Sequence, residues 1–262
     1  PQARPEPPGG SFDVLSERGA VMDRMIYLSM SGAKATMQRQ DVLANNLANA
    51  STVGFRAELH AFRSVPVEGS GASTRVYALE STPGYSDAPG VVSNTGRPMD
   101  VAMRGNAWLA VQGLDGTEAY TRGGSLETSA DGTVVTHGGL TVLGDGGPIQ
   151  VPANSEVSIA ADGTVSARGA NGRSATVGRL KLVTPEAPLE RGTDGLFRAP
   201  DGDLPADATA RLQDGALEGS NVSPVETMVA MISAARQFEA QMRMLQTAEN
   251  NEKTAAQLLS MS

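Results

Sequence analysis

Residues 26–56 read IYLSMSGAKATMQRQDVLANNLANASTVGFR, and two patterns overlap in them. The first is periodic. Ile26, Met30, Ala33, Met37, Gln40, Ala44 and Leu47 recur at alternating steps of four and three, the spacing of a coiled-coil seam. That spacing predicts a helix from about Asp23 to Asn49 inside an N-terminal helical arm, residues 22–56. The second pattern is a helix end. Asn45, Asn46 and Asn49 precede Ser51-Thr52 and Gly54, where turn chemistry and a positive φ are available.

A matching arm lies at the other end, over 220–262. Met231, Ala235, Phe238, Met242 and Leu245 repeat the 4-3 spacing, and Ile232 lies beside them. Its start is legible: Ser223 fits the N-cap, Pro224 the first helical position and Glu226 the third, a capping box. The stripe changes phase after Leu245 and continues through Ala248, Ala255 and Leu259. All of the 11 methionines except Met99 and Met103 fall in the arms or just at their edges, and flexible thioethers suit surfaces that pack against several neighbours. Neither arm buries its stripe alone, so the two are expected to pair.

Between the arms the pattern is β. Asp115-Gly116, Asp131-Gly132 and Asp162-Gly163 each lie beside or between β-prone runs such as Trp108-Leu109-Ala110-Val111 and Thr133-Val134-Val135-Thr136, which marks hairpins. These predict an antiparallel β domain over 93–219. Residues 57–92, with Phe62, Val65-Pro66-Val67 and Val76-Tyr77, read as an irregular, extended connector. Residues 1–21, rich in Pro and Gly at their start, are expected to be a disordered extension or the product of an upstream start site. The fold class is therefore α+β: a discontinuous helical coiled-coil arm domain drawn from both termini, with an antiparallel β-rich centre.

Composition excludes several kinds of chemistry. With 21 Lys and Arg against 29 Asp and Glu, the formal net charge is −8, the wrong sign for a nucleic-acid surface. Cysteine is absent, which removes disulfides, thiolate nucleophiles and Cys-based metal sites. The 2 histidines, His60 and His137, have no His or Cys neighbour in sequence, so no metal site is expected. No Gly-x-Ser-x-Gly elbow occurs, and Gly113-Leu114-Asp115-Gly116 lacks the Lys and Ser/Thr of a phosphate loop. Asp201 and Asp203 sit in a Gly/Pro/Asp-rich loop, where solvent opposes the proton-holding carboxyl that glycoside hydrolysis needs. Trp108 lies within an apolar run and reads as core. No catalytic residue and no cofactor are expected. No stretch approaches the roughly 20 apolar residues of a bilayer span, and no basic-then-apolar leader opens the chain.

The run Asn45-Asn46-Leu47-Ala48-Asn49-Ala50-Ser51-Thr52-Val53-Gly54-Phe55-Arg56 closely resembles the N-terminal signature of bacterial flagellar axial proteins, the rod and hook family. Asp100-Val101-Ala102-Met103, Tyr120-Thr121-Arg122 with Gly124, Leu217-Glu218-Gly219-Ser220-Asn221-Val222 and Arg236-Gln237-Phe238-Glu239 look like further landmarks of that family. Gly54 to Leu59, Val65 to Gly69 and the ending Gln257 to Ser262 resemble its proximal-rod members most; distal-rod and hook subunits are the alternative. The resemblance implies a structural subunit of the rod that crosses the periplasm, exported by the flagellar export apparatus without a cleaved signal peptide. It implies as partners other proximal and distal rod subunits and copies of itself, with no nucleic acid and no membrane insertion. The expected assembly interface is Ile26, Met30, Ala33, Met37, Ala44, Asn45, Asn46, Leu47, Asn49, Gly54 and Phe55 on the first arm. On the second it is Met231, Ile232, Ala235, Phe238, Met242 and Leu245. Two readings compete with it: a periplasmic glycan hydrolase, and a β-rich binding module on a helical stalk.

Overall fold

The computed structural model describes residues 12–59, 62–66, 76–80, 84–169 and 172–260. Residues 1–11, His60 and the side chain of Ile26 lie outside the described residues. The chain has a helix toward each end and β structure between, in which every strand pairing among the described residues is antiparallel. It divides into two compact units. One holds the first helix up to Ala44, the hairpin of Phe62–Pro66 with Val76–Glu80, and the second helix from Val225; the other holds Asn45–Leu59 and Gly84–Pro224.

Helix α1 is Phe12–Ala48 and α2 is Pro224–Ser260. α1 begins before the expected Asp23, because no Pro follows Pro8 until the helix is over and the single early Gly19 costs only ~1 kcal/mol. α2 opens as its sequence suggests, with Pro224 first and Glu226 in the first turn, where the helix dipole favours a carboxylate. Within the helical unit the two helices meet at Gly32: a Cβ placed there would lie 3.1 Å from Nε2 of Gln241.

The buried face of each helix shares alternate positions of the 4-3 stripe and departs from it by one residue at the others. On α1, Ser29 and Ala33 are buried while Met30 and Met37 stand 55% and 56% exposed. On α2, Thr227, Ala234 and Ala248 are buried and Met231, Phe238, Gln241 and Leu245 half-buried, again in 4-3 steps. Ala235 is only half-buried and Met242 is exposed. Small residues occupy the inner face because they let a neighbouring backbone come close.

In the β body the hairpins close by one device. Gly113 N–H donates to Thr117 O at 2.8 Å and Gly116 N–H to Gly113 O at 3.0 Å, a three-residue loop whose last member is in the left-handed region. Ser129–Thr133 and Ala160–Thr164 repeat both bonds, so all three Asp-Gly pairs are hairpin loops, one residue longer than the tightest turn. Gly192–Leu196 is a further case, around Asp194-Gly195. In each, the Asp carboxylate accepts from a residue two positions on.

The central sheet runs Leu182–Val183, Trp108–Gln112, Glu118–Thr121, Phe197–Arg198, Glu190–Arg191. Its strand Trp108–Gln112 is covered on both faces. Leu109 and Val111 join the main core with Val101, Leu126, Val134 and Val165; Trp108 and Ala110 join Tyr120, Val183 and Phe197. That explains why Trp108-Leu109-Ala110-Val111 is apolar without alternation. The outermost segments of the body pair with each other: Val92–Asn94 with Ala216–Glu218, and Val101–Met103 with Leu212–Asp214. The chain therefore enters and leaves the β body side by side.

Candidate functional site

That shared doorway is where the family landmarks gather. Glu218 alternates with Ala216 on a strand whose inward residues are buried, so its carboxylate points into the body and is 1% exposed. Two guanidinium groups meet it there. Arg56 Nη2 lies 2.9 Å from Oε1, and Arg122 donates from Nε at 2.8 Å and from Nη2 to Oε2. The Gly90 N–H donates to Oε1 at 2.9 Å, and the Gly54 N–H to the Glu218 carbonyl at 2.7 Å.

Arg122 is fully committed. Its remaining N–H groups reach the carbonyls of Met103, Gly105 and Ala107 at 3.0, 2.9 and 2.6 Å, which uses the whole donor set of a guanidinium. Its carbon also lies 5.9 Å from the Trp108 ring centre. Arg56 donates to the Ala88 carbonyl, and burial lowers its affinity for its proton, opposed by Glu218. Arg56 Nε and Trp108 Nε1 are buried without an acceptor among the described residues.

Asparagines stitch the neighbouring backbone. Asn221 accepts from Ala57 N–H at 2.7 Å and donates to the carbonyls of Ser86 and Ala88. Asn46, 6% exposed, accepts from Glu58 N–H at 2.8 Å and donates to Glu58 O at 2.9 Å, taking the place of a peptide group in a strand pair. Asn49 closes the end of α1, its backbone N–H and its side-chain amide both donating to the Asn45 carbonyl, at 3.1 and 2.9 Å. Gly54 sits at φ +70, and a Cβ there would lie 2.2 Å from the Arg122 carbonyl carbon. Phe55 is buried under the Arg191 guanidinium, 4.6 Å from its ring centre.

The expected interface residues thus divide. Asn46, Gly54 and Phe55 are buried by contacts within this chain, Ala33 is buried, and Leu47, Asn49, Met231, Ala235, Phe238 and Leu245 are half-buried. Met30, Met37, Ala44, Asn45, Ile232 and Met242 are exposed. Arg122, Glu218, Asn221 and Gly90 carry the junction but were absent from that set. The available signal was a charged residue at an inward-facing register of a short strand, Glu218 beside Ala216.

A cavity of about 700 Å³ adjoins this cluster, lined in part by Val92, Ala102, Met103, Trp108, Arg104 and Glu218. The Glu218 oxygens are already occupied by cationic and backbone donors, so the carboxylate holds the fold and offers no base. His137, exposed, lies 2.8 Å from Glu127. Among the described residues no helix is long and apolar enough to cross a membrane.

Comparison with known proteins bears on these same segments. Residues 26–56 match the family described as flagella basal body rod protein. Residues 102–167 match the flagellar hook protein FlgE/F/G D1 domain, and 213–258 the flagellar basal body rod FlgEFG protein C-terminal region. The flagellar basal-body rod protein FlgF of Salmonella typhimurium is 48% identical over 252 residues, covering 92% of this chain and 100% of its own. FlgF of Escherichia coli has the same identity and coverage, and FlgG of Bacillus subtilis is 32% identical over 87% of this chain and 96% of its own. The chain belongs to the flagellar basal-body rod protein family.

Proposed function

We propose that this chain is a structural subunit of the proximal part of the flagellar basal-body rod, and that it works by being held, not by turning over a substrate. The observation that carries this reading is a stripe on α2. Val225, Met228, Val229 and Ile232, at helical spacing, are 71%, 51%, 62% and 57% exposed. Full burial of such side chains contributes ~1.5–3 kcal/mol each, so leaving them in water is unfavourable until a neighbour covers them. Met30 and Met37 present a similar face on α1.

On this reading the small-residue faces of the two arms pair as a coiled-coil hairpin, while the Met and aliphatic faces contact neighbouring rod subunits and further copies. The wider assembly role of Asn46, Gly54 and Phe55 is indirect: they fix the fold of residues 45–59 within the β body. Passage through the flagellar export apparatus and a place in the periplasm complete the proposal.

The test is Val225→Asp, Val229→Asp and Ile232→Asp together in the chromosomal copy. Cells should be non-motile and lack completed basal bodies, while the purified variant keeps its helical circular dichroism and its Trp108 unfolding transition. Normal motility with this triple variant would overturn the reading. These positions are better probes than Leu47 or Phe238, which are half-buried in the chain and would confound assembly with folding.

A further inference from the structure

Gly32 lies inside α1 with a helical backbone, where Gly is the poorest helix former after Pro. No left-handed turn requires it there; space does. A Cβ would stand 3.1, 3.2 and 3.4 Å from Nε2, Cδ and Oε1 of Gln241, so the whole Gln241 amide lies against bare backbone. The two residues stand nearly equally far along their helices, Gly32 16 residues before Ala48 and Gln241 17 after Pro224. Within the β body the segments next to those helix ends run together, Asn221 N–H donating to Phe55 O at 3.3 Å. Helices that leave neighbouring points and meet again after equal lengths run antiparallel.

Burial then indicates which side chains face each other. Ser29, Ala33, Thr36, Gln40 and Leu43 on α1 are buried or half-buried in 4-3 steps, as are Met231, Ala234, Phe238, Gln241 and Leu245 on α2. With Gly32 and Ala33 opposite Gln241, the layers become Leu43/Met231, Gln40/Ala234, Thr36/Phe238, Ala33/Gln241 and Ser29/Leu245. All but the first set a large side chain against a small one. We propose that this alternation of sizes sets the register of the arm hairpin, with Gly32 and Gln241 as its closest-fitting layer. Apolar spacing alone repeats every heptad, so it would also accept a slip of one heptad, on the order of 10 Å. In one direction that slip puts Leu43 against Phe238 and Gln40 against Gln241, more volume than a layer holds. In the other it puts Ala33 against Ala234 and leaves a hole. Register matters to assembly because the outward residues of the two helices, Met37 on α1 and Met228 and Ile232 on α2, form one surface only at a fixed stagger. The inference rests on the coiled-coil hairpin of the rod-subunit reading, but its test uses the free subunit and is independent of motility.

The chain has no cysteine, which makes thiol mapping clean. Full-length chains carrying Gln40→Cys/Ala234→Cys, at low micromolar concentration, are bridged with dibromobimane. Ala33→Cys/Ala234→Cys and Ala33→Cys/Ala248→Cys are the pairs that a slip in either direction would bring together. The facing pair should give at least about fivefold more intramolecular cross-link than either slipped pair, whose thiols stand one heptad out of reach. Adding Thr36→Phe to the facing pair puts two Phe in one layer and should lower its yield to that of the slipped pairs. Adding Phe238→Thr to that chain should restore the yield, because the layer again holds one large and one small side chain. Simple misfolding would not be reversed by a second substitution. Equal yields from facing and slipped pairs, or a swap that fails to restore the facing pair, would overturn the register.

Discussion

Replacing Glu218 with Ala should be among the most damaging single changes in the β body. The side chain is 1% exposed, and those of its partners Arg56 and Arg122 are 4% and 3% exposed. Removing the carboxylate strands two guanidinium groups in a dry site and leaves the Gly90 N–H without its acceptor. Breaking one side of a buried ion pair costs ~3–5 kcal/mol. For a chain of this size each kcal/mol lowers the melting midpoint by roughly 2–4 °C, so the expected fall is on the order of 6–20 °C. The assay is thermal and urea unfolding followed by Trp108, which is the chain's only tryptophan and is 2% exposed. Glu218→Gln keeps the shape but turns an amide N–H₂ toward the cations, and should fall nearly as far. Arg243→Ala, at an exposed pair with Glu239, should change stability by less than ~0.5 kcal/mol. A loss below ~1 kcal/mol for Glu218→Ala would refute the view that this cluster holds the doorway closed.

Further expectations concern the same body. Gly54 and Gly96 share φ +70, but a Cβ at Gly54 would strike the Arg122–Gly123 backbone while at Gly96 it meets open space. Gly96→Ala should therefore cost only ~1–2 kcal/mol of conformational strain, and Gly54→Ala clearly more in the same unfolding assay; equal losses would remove the close-approach argument. Hydrogen bonds from Thr209 and Thr184 hold the Asp207 carboxyl down at about 2. A depressed carboxyl stabilises the fold fully above its unfolded value near 4, and the contribution fades as pH falls toward about 2. Asp207→Asn should thus flatten that part of the acid limb, as measured by melting midpoints between pH 2 and 5. Finally, a fragment of residues 45–224 should unfold cooperatively, whereas 57–219 lacks Arg56 and Asn221 and should melt broadly; equal cooperativity would show that the junction is dispensable.

Much of the architecture was legible because its signals are local. A heptad spacing, a Pro-led helix start and an Asp-Gly pair each act over a few residues, so the two helices and the first three hairpins could be read directly. Asn49 capping the end of α1 is equally local. The inward face of each helix was legible only in part: Ala33, Leu47, Met231, Phe238 and Leu245 lie on the stripe and are buried or half-buried, while other stripe positions face out. Hydrophobicity marks Met30, Met37 and Met242, whereas close approach selects Ser29, Gly32, Ala33 and Ala234. A sequence pattern reports how apolar a stripe is, not how near the neighbouring backbone comes.

The junction marks the same division. By itself the sequence determined the family, the element types and the recurrence of Arg56, Arg122, Glu218 and Asn221 within family landmarks. Only the tertiary structure decided that these are partners. Arg56 and Glu218 lie 162 positions apart, and they meet because the segment around Arg56 lies along the end of the last strand, Gly54 N–H donating to Glu218 O and Ala57 N–H to Asn221 Oδ1. No local interaction encodes that meeting. It follows from closing the β body, after which a carboxylate sealed from water must find cations or be expelled.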